Sequence, residues 1–80
     1  MKVLVKCFSQ VKYAVGTSEL TLDINPGFTT ADLETMIREK SAGALDGITL
    51  RTAVNKHYVS EPVPLEDGDE VAFIPPVQGG

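Results

Sequence analysis

The chain has 80 residues, 42% hydrophobic and 22% charged, and a formal net charge of −4 at neutral pH. That length supports one domain with a modest core, about what a single sheet backed by one helix can fill. Seven scattered Lys+Arg do not make a nucleic-acid footprint, no stretch approaches the ~18 apolar residues of a membrane span, and one cysteine with one histidine excludes an internal disulfide and a self-contained zinc or iron–sulfur site. The acidic balance favours a basic patch on a protein partner.

Residues 3–8 predict a first strand, with Val3, Val5 and Cys7 toward one face and Leu4, Lys6 and Phe8 toward the other. The apolar part of this start is too short for a signal-peptide core, and with the lone thiol it implies a cytoplasmic protein. A loop containing Gly16 follows. Residues 19–24 alternate cleanly, Leu20, Leu22 and Ile24 against Glu19, Thr21 and Asp23, which predicts a half-buried strand in a hairpin with the first.

Asn25-Pro26-Gly27 ends that strand. A helix begins at Thr29, an N-cap with Asp32 three residues later, while Phe28 and Leu33 hold the positions of a hydrophobic staple. Leu33, Met36 and Ile37 form one apolar stripe, Arg38 and Lys40 suit the C-terminal end, and Ser41-Ala42-Gly43 stops the helix. A third strand is predicted over 48–55, with Ile48, Leu50 and Val54 on one face, and a short fourth over 58–60. Pro62 and Pro64 make the next segment an edge or loop. Glu66-Asp67-Gly68-Asp69 is a turn, and residues 70–74 form the last strand before Pro75-Pro76.

A hairpin, one main helix crossing one face and further strands make an α+β chain with a mixed sheet of 4–5 strands. A right-handed crossover places the last strand beside the first. This is the β-grasp, or ubiquitin-like, arrangement, with a domain over 1–74 and an extended tail over 75–80.

The tail reads Pro75-Pro76-Val77-Gln78-Gly79-Gly80. Two prolines favour a stiff, extended exit, and six extended residues reach roughly 20 Å. A pair of glycines at the tip is also compatible with a frayed terminus. Their chemical use would be different. A carboxylate is a poor electrophile until it is activated as an acyl-adenylate, and an activating enzyme must thread the chain end to its nucleotide. Side chains would obstruct such a channel, and glycine adopts backbone angles closed to other residues. Sulfuration then gives an anionic, nucleophilic thiocarboxylate, delivered on its arm at high effective concentration.

The segment Ala53-Val54-Asn55, then Val59, then the run from Pro64-Leu65-Glu66 through Asp67-Gly68-Asp69-Glu70-Val71 to Pro75-Pro76-Val77-Gln78-Gly79-Gly80 resembles the small subunits of molybdopterin synthase, the MoaD-like sulfur carriers of the MoaD/ThiS family. Val3-Leu4-Val5 and Phe8-Ser9-Gln10 look like the family's first strand. The family often carries Arg-Glu after that strand, where this chain has Lys12-Tyr13. The resemblance implies that Gly80 is adenylated by a ubiquitin-activating-like adenylyltransferase (MoeB-like) and then thiocarboxylated. ATP is used by that enzyme, and the carrier itself binds no cofactor and no metal. The tail, Pro75, Pro76, Val77, Gln78 and Gly79, would enter the large synthase subunit (MoaE-like), which carries the catalytic side chains. There the sulfur passes to a pyranopterin precursor to build the dithiolene of the molybdenum cofactor. The family assembles as two small and two large subunits, so this chain would be a sulfur-donating, non-catalytic subunit.

By strand alternation Phe8, Tyr58 and Ile74 fall on the face away from the helix, as a docking patch for both partners or as scattered exposed apolar residues. Cys7 reads as a core thiol, His57 as a surface turn residue, and Asp67 and Asp69 as turn caps or partners in a salt bridge to another protein. Three alternatives stay open: a sulfur carrier for thiamin thiazole synthesis, a ubiquitin-like protein modifier, and a binding module with an inert tail. They differ in the partner that co-purifies, in whether lysine conjugates form, and in whether a residue added after Gly80 is harmless.

Overall fold

The alternating segments pair much as their apolar faces require. The computed structural model describes residues 1–76, in which β1 (Lys2–Cys7), α1 (Ser9–Val15), β2 (Glu19–Asp23), α2 (Thr30–Lys40), β3 (Arg51–Val54), β4 (His57–Val59) and β5 (Glu70–Ile74) follow in order. The sheet order is β2-β1-β5-β3-β4. β1 and β5 are parallel, and the other neighbours are antiparallel. The last strand therefore lies beside the first, at the centre of the sheet.

Val3, Val5 and Cys7 of β1 and Val71 and Phe73 of β5 point to one face and are buried with Leu33 and Ile37 of α2. Leu20, Leu22 and Met36 pack against the same cluster. Burying a side chain such as Phe73 or Leu33 contributes about 1.5–3 kcal/mol, so a handful of these contacts dominates the stability of so small a domain. The helix start follows its sequence. Thr29 Oγ1 accepts from the Asp32 amide at 3.3 Å, and Asp32 Oδ2 accepts from the Thr29 amide at 3.0 Å, closing the capping box. Buried Thr30 holds the 62–65 segment against α2, its hydroxyl accepting from the Val63 amide at 3.1 Å.

Two expectations change. Residues 9–15 are helix α1, not a loop, so β1 and β2 are joined through a helix. The chain bends sharply at Ser9, at φ 51, no side chain caps the start, and Gly16, at φ 94, closes the end with its amide donating to the Lys12 carbonyl. Val11 drives the element: it is fully buried, with Ala14 and Val15 packed against the core beside it. The third strand is also shorter than 48–55. Its last partner across β5 is Ile74, opposite Arg51, so residues 48–50 have no ladder to join. They hold their place instead through Arg38, whose guanidinium donates to the carbonyls of Leu45 and Ile48 at 2.7 Å each while Glu34 accepts from Nε at 3.0 Å.

Candidate functional site

β5 ends at the middle of the sheet, and its alternation sends Phe73 into the core and Ile74 out of the other face. Ile74 is opposite Arg51 of β3. On the β1 side the pairs Lys6↔Ala72 and Cys7↔Phe73 bring Phe8 level with Ile74. Tyr58 of β4 lies opposite Ala53 and faces the same way. Phe8, Tyr58 and Ile74 line, with Lys6, Ala53 and Ala72, a hollow of about 290 Å³. Ala53 and Ala72 form a floor of small side chains. Phe8, 47% exposed, and Tyr58, 54% exposed, stand as walls. The structure thus unites Phe8, Tyr58 and Ile74. Pro75 is buried and Pro76 is exposed, so the chain reaches the surface two residues after the hollow's Ile74. Val77, Gln78, Gly79 and Gly80 lie outside the described residues.

The rim of the hollow is charged. Lys6 donates from Nζ to Glu19 Oε2 at 2.9 Å, a bond that raises its pKa above the ordinary lysine value, helped by the charges of Glu19 and Glu70. Just outside the hollow's lining, Arg51 places its Cζ 3.9 Å from the centroid of the Tyr58 ring, a cation–π contact with the aromatic wall. Lys56 also lines the hollow. Among the described residues neither Arg51 nor Lys56 forms an ion pair. Sequence reasoning missed Lys6, Ala53, Lys56 and Ala72, although the alternation that selected Phe8 and Ile74 carries Lys6 and Ala72 to the same face.

The β3–β4 turn that presents Lys56 has φ of 50 at Asn55 and 73 at Lys56, the left-handed pair of a two-residue type I′ hairpin. Asn55 is tied down: Oδ1 accepts from the Glu70 amide and Nδ2 donates to Asp69 Oδ1, both at 3.0 Å. Asp69 Oδ2 accepts from the Glu66 amide, and Asp67 Oδ1 from the Lys2 amide, each at 2.7 Å. The acidic turn is therefore a clasp between β1, β5 and the β3–β4 hairpin.

Other candidates hold different positions. Cys7 is buried in the core, where burial pushes its thiol pKa up, the opposite of nucleophile activation. His57 is exposed at the start of β4. Among the described residues no three His, Cys, Asp or Glu side chains gather as a metal set, and no helix is long and apolar enough to cross a membrane. A larger groove of about 490 Å³ runs between α2 and the β4 edge, lined by Thr30, Glu34, Val59 and Pro62 among others and also by Arg51 and Tyr58, but not by Ile74 or Phe8. The smaller hollow is the one at the root of the tail.

The ThiS family profile matches residues 5–80. The chain belongs to the ThiS family. Two relatives align with this chain along nearly their whole length. The molybdopterin synthase sulfur carrier subunit of Escherichia coli (strain K12) is 40% identical over 80 residues, covering 98% of this chain and 99% of the relative. That of Chlamydomonas reinhardtii is 37% identical over 84 residues, covering all of both. Among solved structures, a protein–protein complex of subunits 1 and 2 of the molybdopterin-converting factor from Helicobacter pylori contains a chain 28% identical to this one, with full coverage of both and a TM-score of 0.70. The resemblance read from the last strand and tail is borne out, as is the β-grasp fold.

Proposed function

We propose that this chain is the sulfur-carrying small subunit of a molybdopterin synthase, with Gly80 as the group that bears the sulfur. One observation carries the reading: the only described residues that lead into the Gly-Gly tail emerge beside an outward apolar hollow, in a chain that aligns end to end with two named sulfur carrier subunits. An ATP-using adenylyltransferase activates the Gly80 carboxylate, a sulfur donor displaces AMP, and the large subunit receives the thiocarboxylate on the tail from Pro75 to Gly79. Phe8, Tyr58 and Ile74 dock that subunit and the activating enzyme in turn. The catalytic side chains belong to the large subunit, and the setting is the reducing cytoplasm.

Two measurements test this. Intact mass spectrometry of protein taken from cells should show a fraction heavier by the difference between sulfur and oxygen. Appending one residue after Gly80 should abolish sulfur transfer while leaving the thermal transition unchanged. Sulfur transfer that survives the extension would refute the assignment.

A further inference from the structure

The net charge of −4 is unevenly spread over the chain. Strand register turns Lys2, Lys6, Glu19, Asp23, Arg51 and Glu70 to the face that bears the hollow. With Lys56 on the rim, that face holds four cations and three carboxylates. The chain has seven cations and eleven carboxylates in all, and the other three cations and eight carboxylates lie on the helices, on loops and in the 66–69 turn, where Asp67 and Asp69 clasp β1 and the β3–β4 hairpin. The face that bears the hollow is therefore slightly cationic in a chain that is acidic as a whole.

The cations on that face are not equivalent. Lys2 and Lys6 are matched by Asp23 and Glu19, at 3.9 and 2.9 Å. Arg51 and Lys56 have no acidic partner among the described residues, and they flank Tyr58 at the β3–β4 end. At the opposite end, by Phe8, the charge is balanced. A cation left unpaired beside an apolar hollow is desolvated when that hollow is covered, and it favours a partner that supplies the missing anion.

We infer that the β3–β4 end of this face, Arg51 and Lys56 around Tyr58, is a steering contact for an acidic patch on the subunit that receives the tail. This rests on the reading of the chain as a tail-delivering small subunit. It also reverses the simple expectation from net charge: the complementary surface is carboxylate-bearing, not basic.

The experiment is a binding-kinetics series with the full chain and the large synthase subunit from the same organism. The double variant Arg51→Glu with Lys56→Glu is compared with Lys12→Glu with Lys40→Glu, which changes the net charge equally but on the helices. At low salt the first pair should slow association about tenfold and the control less than about threefold, and the gap should close at high salt. Neutral Arg51→Gln with Lys56→Gln should fall between, and thermal melts confirm that each variant is folded. Equal effects of the two charge reversals, or no effect of the first, would overturn the inference and leave the assignment of function standing. Failure of the unaltered chain to bind the large subunit would overturn the assignment itself, and the steering contact with it.

Discussion

Lys56→Gly should make the protein more stable and a poorer binder at once. Lys56 has φ of 73 in the second position of a two-residue hairpin turn. A side chain in the left-handed region costs roughly 1–2 kcal/mol, and glycine removes that cost but adds roughly 0.5–1 kcal/mol of chain entropy to the unfolded state. Asn followed by glycine is also the favoured pair for this turn. The net should be a gain of about 0.5–1 kcal/mol. For a domain of this size each kcal/mol moves the midpoint by about 4–8 °C, so a thermal melt should shift up by roughly 2–8 °C. The same change removes one of the two unpaired cations at the hollow, and association with the large subunit should slow about threefold at low salt. A variant that melts lower would refute the turn argument. One that melts higher and binds as fast would show that the strained lysine has no part in docking.

Val11→Ala should lower stability by about 2 kcal/mol, since it empties space on the buried side of α1, whereas Tyr13→Ala, at a residue 84% exposed on the same helix, should cost under about 0.5 kcal/mol. Equal losses in denaturant titrations would mean α1 does not pack as described. Arg38→Ala should cost about 2 kcal/mol by freeing the Leu45 and Ile48 carbonyls, and Arg38→Lys should recover little because an ammonium lacks the fork; protection of the 44–48 amides in hydrogen exchange reports this directly. Cys7 should resist disulfide-exchange reagents until the domain opens, with labelling that follows denaturant concentration. Because burial raises its folded pKa, the native state keeps a proton that the unfolded chain loses above the ordinary thiol value of 9.0, so stability should be insensitive to this group below that pH and fall above it. A Cys7→Ala variant that shows the same alkaline loss would disprove that attribution.

The parts of the fold legible in the sequence are those whose local pattern and tertiary role agree. β1 and β2 alternate because each has one face on the core, and α2 announces itself with a cap, a staple and a stripe. α1 has none of the usual start signals. It is one short helix with a single fully buried residue, and only the spacing of Val11, Ala14 and Val15 before Gly16 marks it. The start of β3 at Arg51 is hidden in the sequence for another reason. Ile48 and Leu50 alternate like strand residues, but strand length is set by the partner, and β5 stops at Ile74. No local pattern encodes where a neighbouring strand ends. The docking face was half legible. Alternation selects Phe8, Tyr58 and Ile74, while the nearness of Lys56 and Arg51 to them depends on the strand order β1-β5-β3-β4, which only the assembled sheet reveals.

That order also bears on how the tail would be delivered. β5 is the central strand of the sheet, paired with β1 and β3, and its core-facing Val71 and Phe73 are fully buried. The clasp from Asp69 to Asn55 and Glu66 fixes its start, and buried Pro75 continues past its end. A carrier whose arm began on an edge strand would lose its aim whenever that edge frayed, since local opening is easiest where fewest contacts hold. Rooting the arm on a central strand paired on both sides means that the proposed docking of Phe8, Tyr58 and Ile74 against a partner would also fix where Pro76 points. Asp69→Ala tests the connection. It removes the clasp at the start of β5, the end away from the tail, and it should cost about 1–2 kcal/mol in stability. At a temperature where the variant remains folded, sulfur transfer should fall together with binding to the large subunit. If binding weakened while transfer at saturating large subunit stayed normal, the clasp would serve the hairpin alone, and the aim of the tail would be set after docking, by the partner.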